Sequence, residues 1–249
     1  KDLSPLGGLV NLEHLDLDQN YIQDLTPLKS LVNLVFLDID ESGLTDISAL
    51  RFLVNLESLD LKFNEIEDLT PLSGLKRLKE LSLRRNRVYS VEALATISKL
   101  KKIDLSENFI SDLSPLGRLR KVNKLNVSVN EVSDISVLAN FRKLKKFEAV
   151  DNRISDVTVF SRNNFLSMEL LNLSNNQVEN IAPLFRLRGL TDLNLKRNRV
   201  SDISVVSQFT QMVNLNLSFN PILDFTALEG LARLEILDLE KTGLKSISF

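Results

Sequence analysis

The side chains most often used in catalysis are nearly absent from this chain. Among its 249 residues there is one histidine, His14, and no cysteine, and the eight glycines form no phosphate-binding loop. Nucleophilic triads, zinc centres and histidine acid–base catalysis therefore lack the residues they need. Carboxylates abound, but the open sheet predicted below offers them no deep pocket that excludes water. We expect no enzymatic activity, no cofactor and no metal site.

Charged residues recur 22 residues apart, which indicates that their chemistry belongs to a surface. The acidic series Asp16, Asp38 and Asp60 is joined by Asp18 and Asp40 in a patch near the start of the chain. Hard cations prefer several carboxylate oxygens, so calcium binding by this patch is left open. The net charge of −2 argues against a nucleic-acid partner. A basic series with the same spacing follows the acidic one and consists of Lys102, Lys124 and Lys146.

An internal repeat produces this spacing. Asparagines, replaced once by serine, stand 22 residues apart from Asn20 to Asn152, and the series resumes at Asn176 after a two-residue insertion. The run 162–164, Arg-Asn-Asn, lies where the period is stretched, and we interpret it as a surface loop. A period sustained from end to end predicts one domain, residues 1–249, of about eleven 22-residue repeats with both ends inside a repeat.

Each repeat predicts one short strand and one short turn. Leu15-Asp16-Leu17 alternates apolar and polar residues, as a strand with one buried face does, and successive copies must stack as a parallel sheet. Further along, threonine or serine precedes proline, as in Thr26-Pro27, which we interpret as an N-cap followed by the first helical residue. The space before the next strand allows only a 3₁₀ or α turn. The turns occupy more width than the strands, so the strands should line a concave face.

The repeated asparagine has an evident structural task. The chain turns inward after each strand, where backbone amides and carbonyls would be buried without partners. An amide side chain carries both donors and acceptors, and it can satisfy these groups repeat by repeat. We therefore assign the asparagines to the scaffold and not to a binding site.

These repeats resemble the leucine-rich-repeat superfamily, in particular its 22-residue class, which includes bacterial internalins and eukaryotic phosphatase-regulating proteins. Leu56, Leu59, Leu61 and Asn64 follow the superfamily skeleton, and the tail 110–116, Ile-Ser-Asp-Leu-Ser-Pro-Leu, is most similar to internalins. The resemblance implies an α/β solenoid: a curved right-handed superhelix with a parallel sheet on its concave face and 3₁₀ or α turns on its convex face. Arginine and lysine are more frequent than expected of an internalin, and we expect capping segments in the full-length protein.

Side chains that point away from the core lie two, four and six positions before each asparagine. Basic residues cluster there in the middle repeats, and the aromatic residues at or beside these positions are candidate anchors, since aromatic and arginine side chains supply most interface hot spots. The predicted partner-binding residues on the concave face are Phe36, Lys62, Phe63, Arg84, Arg85, Arg87, Lys102, Phe109, Lys124 and Lys146.

Four functional interpretations remain open at this stage. The first, implied by the internalin resemblance, is a monomeric bacterial surface or secreted protein that binds a protein partner such as a host receptor, without a membrane span. The second is a cytoplasmic adaptor or regulatory subunit that binds its partner in the same groove. The third is a site for an anionic glycan at the lysine series, and the fourth is a rigid spacer.

Overall fold

A computed structural model describes residues 2–162 and 165–244, which fall into two compact units, Lys1–Leu125 and Asn126–Phe249. Each unit is described by itself. Asn163 and Asn164, in the predicted surface loop, lie outside the described residues, so that interpretation stays a prediction. The single-domain interpretation stays a prediction as well.

Every repeat contributes one three-residue strand, numbered here in chain order. They are β1 (His14–Asp16), β2 (Phe36–Asp38), β3 (Ser58–Asp60), β4 (Glu80–Ser82), β5 (Lys102–Asp104), β6 (Lys124–Asn126), β7 (Lys146–Glu148), β8 (Leu170–Asn172), β9 (Asp192–Asn194), β10 (Asn214–Asn216) and β11 (Ile236–Asp238).

Strand pairing is parallel and strictly in register. In the first unit Leu37 pairs with Leu59 and Leu59 with Leu81, and in the second Leu171 pairs with Leu193. The middle residue of nearly every strand is buried, while its two neighbours on either side are at least partly exposed. This alternation confirms the predicted parallel sheet with one buried face. Within a strand, side chains that are two residues apart lie on the same side of the sheet.

Short 3₁₀ helices follow the strands, as the Ser/Thr-Pro segments predict. The described ones are Ser4–Leu6, Thr26–Ser30, Ser48–Phe52, Thr70–Gly74, Glu92–Thr96, Ser114–Arg118, Ser136–Asn140, Thr158–Ser161, Ala182–Arg186, Ser204–Gln208 and Thr226–Leu228. These turns, together with the parallel strands, confirm the leucine-rich-repeat solenoid fold.

The predicted N-cap of these turns is wrong by two residues. Thr26 is the first residue of its turn, and Leu25, which stands at the N-cap position, makes no side-chain capping hydrogen bond. Asp24 provides the cap instead, because its Oδ1 accepts a hydrogen bond from the backbone N–H of Thr26 at 2.7 Å. Asp68 does the same for Thr70 at 2.8 Å and also accepts the threonine hydroxyl. Aspartate side chains readily accept a hydrogen bond from the backbone N–H two residues further along the chain, which is the geometry seen here.

Leucine, isoleucine and valine fill the core, where most of them are completely buried. Phe147 and Phe165 occupy leucine positions and are 0% and 1% exposed, which confirms their interpretation as core residues. Phe165 packs edge-on against Phe160 with ring centroids 5.1 Å apart.

The repeated asparagine pairs backbone groups of three neighbouring segments, as predicted. The Oδ1 of Asn86 accepts a hydrogen bond from the N–H of Ile66 at 3.0 Å. Its Nδ2 donates to the carbonyls of Leu61, at 2.8 Å, and Leu83, at 3.1 Å. Where Ser42 replaces asparagine, the hydroxyl reaches only the carbonyl of Asp40, at 3.2 Å. At this position the serine hydroxyl therefore bonds within its own repeat and does not replace the inter-repeat bonds of the asparagine.

The residue immediately before each asparagine adopts a left-handed backbone conformation, which the sequence does not reveal. Eleven residues at this position of the repeat, including Glu41 before Ser42 and Lys241 before Thr242, have φ between +48° and +58°, and none of them is glycine. This conformation directs the backbone N–H toward the next repeat; for example, Val129 donates to the carbonyl of Val150 at 2.7 Å. Only glycine, asparagine and aspartate adopt it readily, and a β-branched residue such as Val129 (φ 55°) is strained there.

Exchanging asparagine and valine at this position should change stability in opposite directions. Val129 is 46% exposed, so Val129→Asn loses little burial and relieves about 1 kcal/mol of strain, which should raise the Tm by about 2–4 °C. Asn175, with φ 53°, occupies the same position in another repeat, and Asn175→Val should lower the Tm by a similar amount. Thermal unfolding monitored by circular dichroism measures both, and shifts of the same sign would contradict the strain argument.

Candidate functional site

The exposed face of the sheet in the first unit brings part of the predicted site together. Phe63 has a left-handed backbone, with φ 53°, which leaves its ring partly exposed beyond the end of β3. The guanidinium groups of Arg84 and Arg85 lie over this ring, 5.5 and 5.4 Å from its centroid. Arginine over an aromatic face is attractive, because the ring presents negative potential to the cation. We call these three residues the Phe63 cluster.

Most cations of the predicted site, including Arg84 of the Phe63 cluster, form ion pairs with carboxylates of neighbouring repeats. The guanidinium of Arg84 lies 2.7 Å from the carboxylate of Glu107. Lys102 lies 2.6 Å from Glu80, which faces it across β4 and β5. Arg87 pairs with Glu65 at 3.1 Å. The basic patch predicted from sequence is therefore a set of alternating charges. Arg85 forms no ion pair within 4 Å among the described residues, so the Phe63 cluster retains one free cation.

The lysine series divides between the two units. Lys124 follows Lys102 in the first unit, where its backbone N–H donates to the carbonyl of Lys101 at 3.1 Å, and its side chain is exposed. Lys146 begins β7 in the second unit and is partly buried. Because Glu80 already pairs with Lys102, the series presents less positive charge than its spacing indicates.

The predicted aromatic anchors have partners of their own. Phe36 stacks on His14, with ring centroids 5.8 Å apart, which gives the only histidine a place on the sheet face. Phe109 stacks on Tyr89, with centroids 5.2 Å apart and an angle of 18° between the rings. Both rings of this second pair are largely exposed, and Tyr89 was missed because it lies three residues after its asparagine, outside the strand positions.

A second phenylalanine–cation cluster, in the other unit, also escaped the sequence analysis. Phe219 occupies the same left-handed position as Phe63, with φ 58°. Three cations, Lys196, Arg197 and Lys241, lie 5.4, 5.0 and 5.0 Å from its ring centroid. We call these four residues the Phe219 cluster. Its signal in the sequence is a phenylalanine directly before the repeated asparagine, as at Phe63, with cations at or beside this position in the adjacent repeats.

The acidic patch concentrates negative charge on the face of β1–β3. Asp16, Asp38 and Asp60 lie in register on these strands, and carboxylate oxygens of Asp18, Asp38 and Asp40 come within 4.8 Å of one another. Burial, a hydrogen bond to Asp18 and the neighbouring carboxylates raise the pKa of Asp38 to about 7. Burial also raises the pKa of Asp40, followed by the charge of Asp18. The three carboxylates are chemically able to share a proton or to bind a hard cation.

Lys62 belongs to this acidic patch and not to the Phe63 cluster. Its ammonium group lies 3.0 Å from Asp60 and 3.6 Å from Asp40. A hydrogen bond to Asp60 raises the pKa of Lys62, so it stays charged and offsets part of the repulsion. The position of Lys62, a predicted site residue, is therefore explained by its ion pairs within the acidic patch.

Comparison with known proteins identifies the family of this solenoid. A family model described as "Leucine Rich repeats (2 copies)" matches residues 32–74 and 76–118. The crystal structure of internalin C2 from Listeria monocytogenes is 31% identical, with a TM-score of 0.62, and the match covers 84% of this chain and 82% of that one. The chain belongs to the internalin-like leucine-rich-repeat proteins.

Two further structures extend this result. The internalin inlF, also from Listeria monocytogenes, is 29% identical with a TM-score of 0.90, and the match covers 96% of this chain and 77% of that one. A leucine-rich-repeat protein from Leptospira interrogans shares the fold, with a TM-score of 0.86 at 23% identity over 94% of this chain and 62% of that one. Among curated proteins no match was found.

No helix in the described part of this internalin-like protein is both long enough and apolar enough to cross a membrane. Its described helices are 3₁₀ turns of three to five residues. Proteins of the internalin type are in general protein–protein interaction scaffolds, and an exposed sheet face that carries aromatic and arginine side chains is consistent with that role.

The raised pKa of Asp38 makes the stability of this internalin-like protein depend on pH. Between pH 4 and pH 7 the folded state keeps a proton on Asp38 that the unfolded state has lost. The free energy of unfolding therefore falls as the pH rises through this range, and the full destabilisation by Asp38 is reached above pH 7. Asp38→Asn should therefore raise the Tm at pH 8 and change it little at pH 4, because an amide can still donate to Asp18.

Thermal unfolding of both proteins at the two pH values measures this effect. Asp104→Asn is the control. Asp104 occupies the position of Asp38 in its own repeat, but the residue that pairs with it on the preceding strand is Ser82 and not a carboxylate. An equal shift at pH 4 and pH 8 for Asp38→Asn would contradict the assignment of a protonated Asp38.

Proposed function

We propose that this internalin-like protein binds a protein partner on the exposed face of its sheet, with the Phe63 cluster as the centre of the contact in the first unit. The observation that carries the proposal is the placement of two arginines over one partly exposed phenylalanine ring. Aromatic and arginine side chains dominate interface hot spots, and stacking restricts their rotamers before a partner arrives.

Charge alone does not account for the proposed contact. Arg84, Arg87 and Lys102 are each paired with a glutamate, so an anionic ligand would compete with carboxylates already in place. A protein surface with both an apolar group for Phe63 and an acceptor for Arg85 fits this arrangement better than a uniformly anionic glycan does. Exposed ion pairs contribute at most about 1 kcal/mol each, so a partner can exchange them at little cost.

The internalin relationship supports a bacterial surface or secreted protein that engages a receptor of another cell. Capture of a partner from a surface or a cytosolic fraction tests both this location and this kind of partner. Binding, without catalysis, is the function that an exposed sheet of this kind supports.

A capture experiment with matched variants tests the proposed contact. The unchanged chain and the variant Phe63→Ala/Arg85→Glu are immobilised and exposed to surface and cytosolic fractions of cultured mammalian cells, and bound proteins are identified by mass spectrometry. The control is Phe185→Ala/Arg186→Glu, which removes another stacked arginine–phenylalanine pair, 4.8 Å from guanidinium to centroid, on a 3₁₀ turn.

We expect one protein to be captured by the unchanged chain and the control, and to bind the Phe63 variant about tenfold or more weakly, the scale of one hot spot. Capture from the surface fraction supports receptor binding, whereas capture from the cytosol supports an adaptor. Equal capture by both variants would contradict the placement of the site, and capture of nothing by any of them would favour a spacer.

A further inference from the structure

The Phe219 cluster contains more uncompensated positive charge than the Phe63 cluster. Lys196, Arg197 and Lys241 converge on one ring, and among the described residues none of them has a carboxylate within 4 Å. Glu240 precedes Lys241 in the chain and still forms no such pair within the described residues. Like charges held close together are unfavourable, so an anionic group placed among them would be bound favourably.

A groove lined by both apolar and polar side chains lies on the same sheet face, over β8–β11. Its volume is about 370 Å³, and its floor carries side chains that are fixed by one another. Asp192 accepts hydrogen bonds from Asn214, at 2.5 Å, and from the hydroxyl of Thr191, at 2.6 Å. Asn216 donates to Asp238 at 3.0 Å. These bonds hold the carboxylates in place and restrict the side-chain rotamers that a ligand would otherwise have to order.

Two amide groups in the groove are available to a ligand. Asn172 and Asn194 lie opposite each other on β8 and β9, and the carbonyl oxygen of each accepts a backbone N–H from its own chain. The hydrogen bonds of the described residues leave the NH₂ groups of both side chains without an acceptor. Neighbouring strands lie about 4.8 Å apart, so the two donors form a short row suited to the carbonyls of an extended chain.

The groove and the Phe219 cluster form one continuous surface. Lys196 follows Asn194 by two residues on the same face, and its backbone N–H donates to the Oδ1 of Asn194 at 3.0 Å. In the next repeat Asn216 accepts the N–H of Ser218, the residue before Phe219, at 3.0 Å. The cations therefore stand where the groove strands end.

We propose that this surface binds an extended acidic segment of a protein, with backbone carbonyls on Asn172 and Asn194 and carboxylates among the cations of the Phe219 cluster. Asp192 and Asp238 disfavour a polyanionic glycan, because a ligand with charge along its whole length would lie beside both carboxylates. A polypeptide can place its acidic residues at the cationic end only. The inference rests on the proposed function, protein recognition, but concerns other residues and a defined partner chemistry.

The experiment uses the whole chain and a short fluorescein-labelled peptide with one uncharged half, of alternating serine and leucine, and one acidic half that carries glutamates. Binding is followed by fluorescence anisotropy at physiological salt. The test variant is Lys196→Glu/Arg197→Glu. It should fold, because Glu41 and Glu107 have the left-handed backbone of Arg197 and Glu240 occupies the position of Lys196 in another repeat. The matched control, Arg142→Glu/Lys143→Glu, makes the same change of charge at exposed residues of the same unit.

We expect the peptide to bind the unchanged chain and the control equally, and the test variant about tenfold or more weakly, as for removal of a charged hot spot. A peptide with glutamine in place of glutamate should not bind, and heparin should bind more weakly than the acidic peptide. Equal affinity for both variants, no binding by the unchanged chain, or tighter binding of heparin would each overturn the proposal.

These outcomes are distinct from failure of the proposed function. The variant Phe63→Ala/Arg85→Glu should bind the acidic peptide as the unchanged chain does, because its substitutions lie in the other unit. Loss of peptide binding in that variant alone would assign the acidic segment to the Phe63 cluster, and would overturn the present inference while supporting the proposed function.

Discussion

The pairing of backbone groups where the chain turns inward after each strand is the constraint on which this structure depends. A parallel sheet of three-residue strands satisfies few backbone groups itself, and the turn buries those that remain. Asn64 accepts the N–H of Leu44 at 2.9 Å and donates to the carbonyls of Ile39 and Leu61, at 2.8 and 3.1 Å. Leaving one such group buried and unpaired costs about 1–3 kcal/mol, so the amide side chain determines the turn.

The same turn determines where function can be placed. To bring asparagine inside, the preceding residue must adopt a left-handed backbone, and its side chain is left on the exposed face beyond the strand. Phe63, Arg85, Arg197 and Phe219 all occupy this position. The strain of a non-glycine residue there is compensated by the backbone pairing to the next repeat and by the amide of the asparagine. Candidate binding groups thus occupy a position that the scaffold creates for its own stability.

Much of the scaffold could be predicted from sequence, because its signals repeat. The alternation in Leu59-Asp60-Leu61 predicts a strand, and the polar amide at Asn64 predicts its own hydrogen bonds. The capping aspartates were missed, since Asp24 precedes its turn by two residues and a neighbouring Thr-Pro pair carries a stronger statistical signal. The left-handed residues were missed because side chains as different as Val129 and Lys241 occupy the position, so composition there carries no signal.

The candidate site was less predictable, for a physical reason. Charges on a sheet face interact with residues about 22 positions away in the sequence. A local stretch of sequence therefore suggests more unpaired charges than the folded sheet has. Lys102 seemed to belong to a basic series, but it faces Glu80 across one strand pair. Phe109, which seemed to flank the arginines, stacks on Tyr89. Comparing each charge with its counterparts one repeat before and after would have found the Glu80–Lys102 pair, since the strands are in register.

Neutralised charges and stacked rings make different contributions to recognition. The pairs Arg84–Glu107 and Lys102–Glu80 are exposed and in water, so each contributes little to stability and either partner can be exchanged at an interface. The rings of Phe63 and Phe219 cannot be neutralised in this way, because cations placed over them leave apolar edges for a partner to bury. We therefore expect apolar contact at Phe63 to supply affinity, while the surrounding charges select which partner can approach. At Phe219 we expect the unpaired cations to contribute to affinity as well.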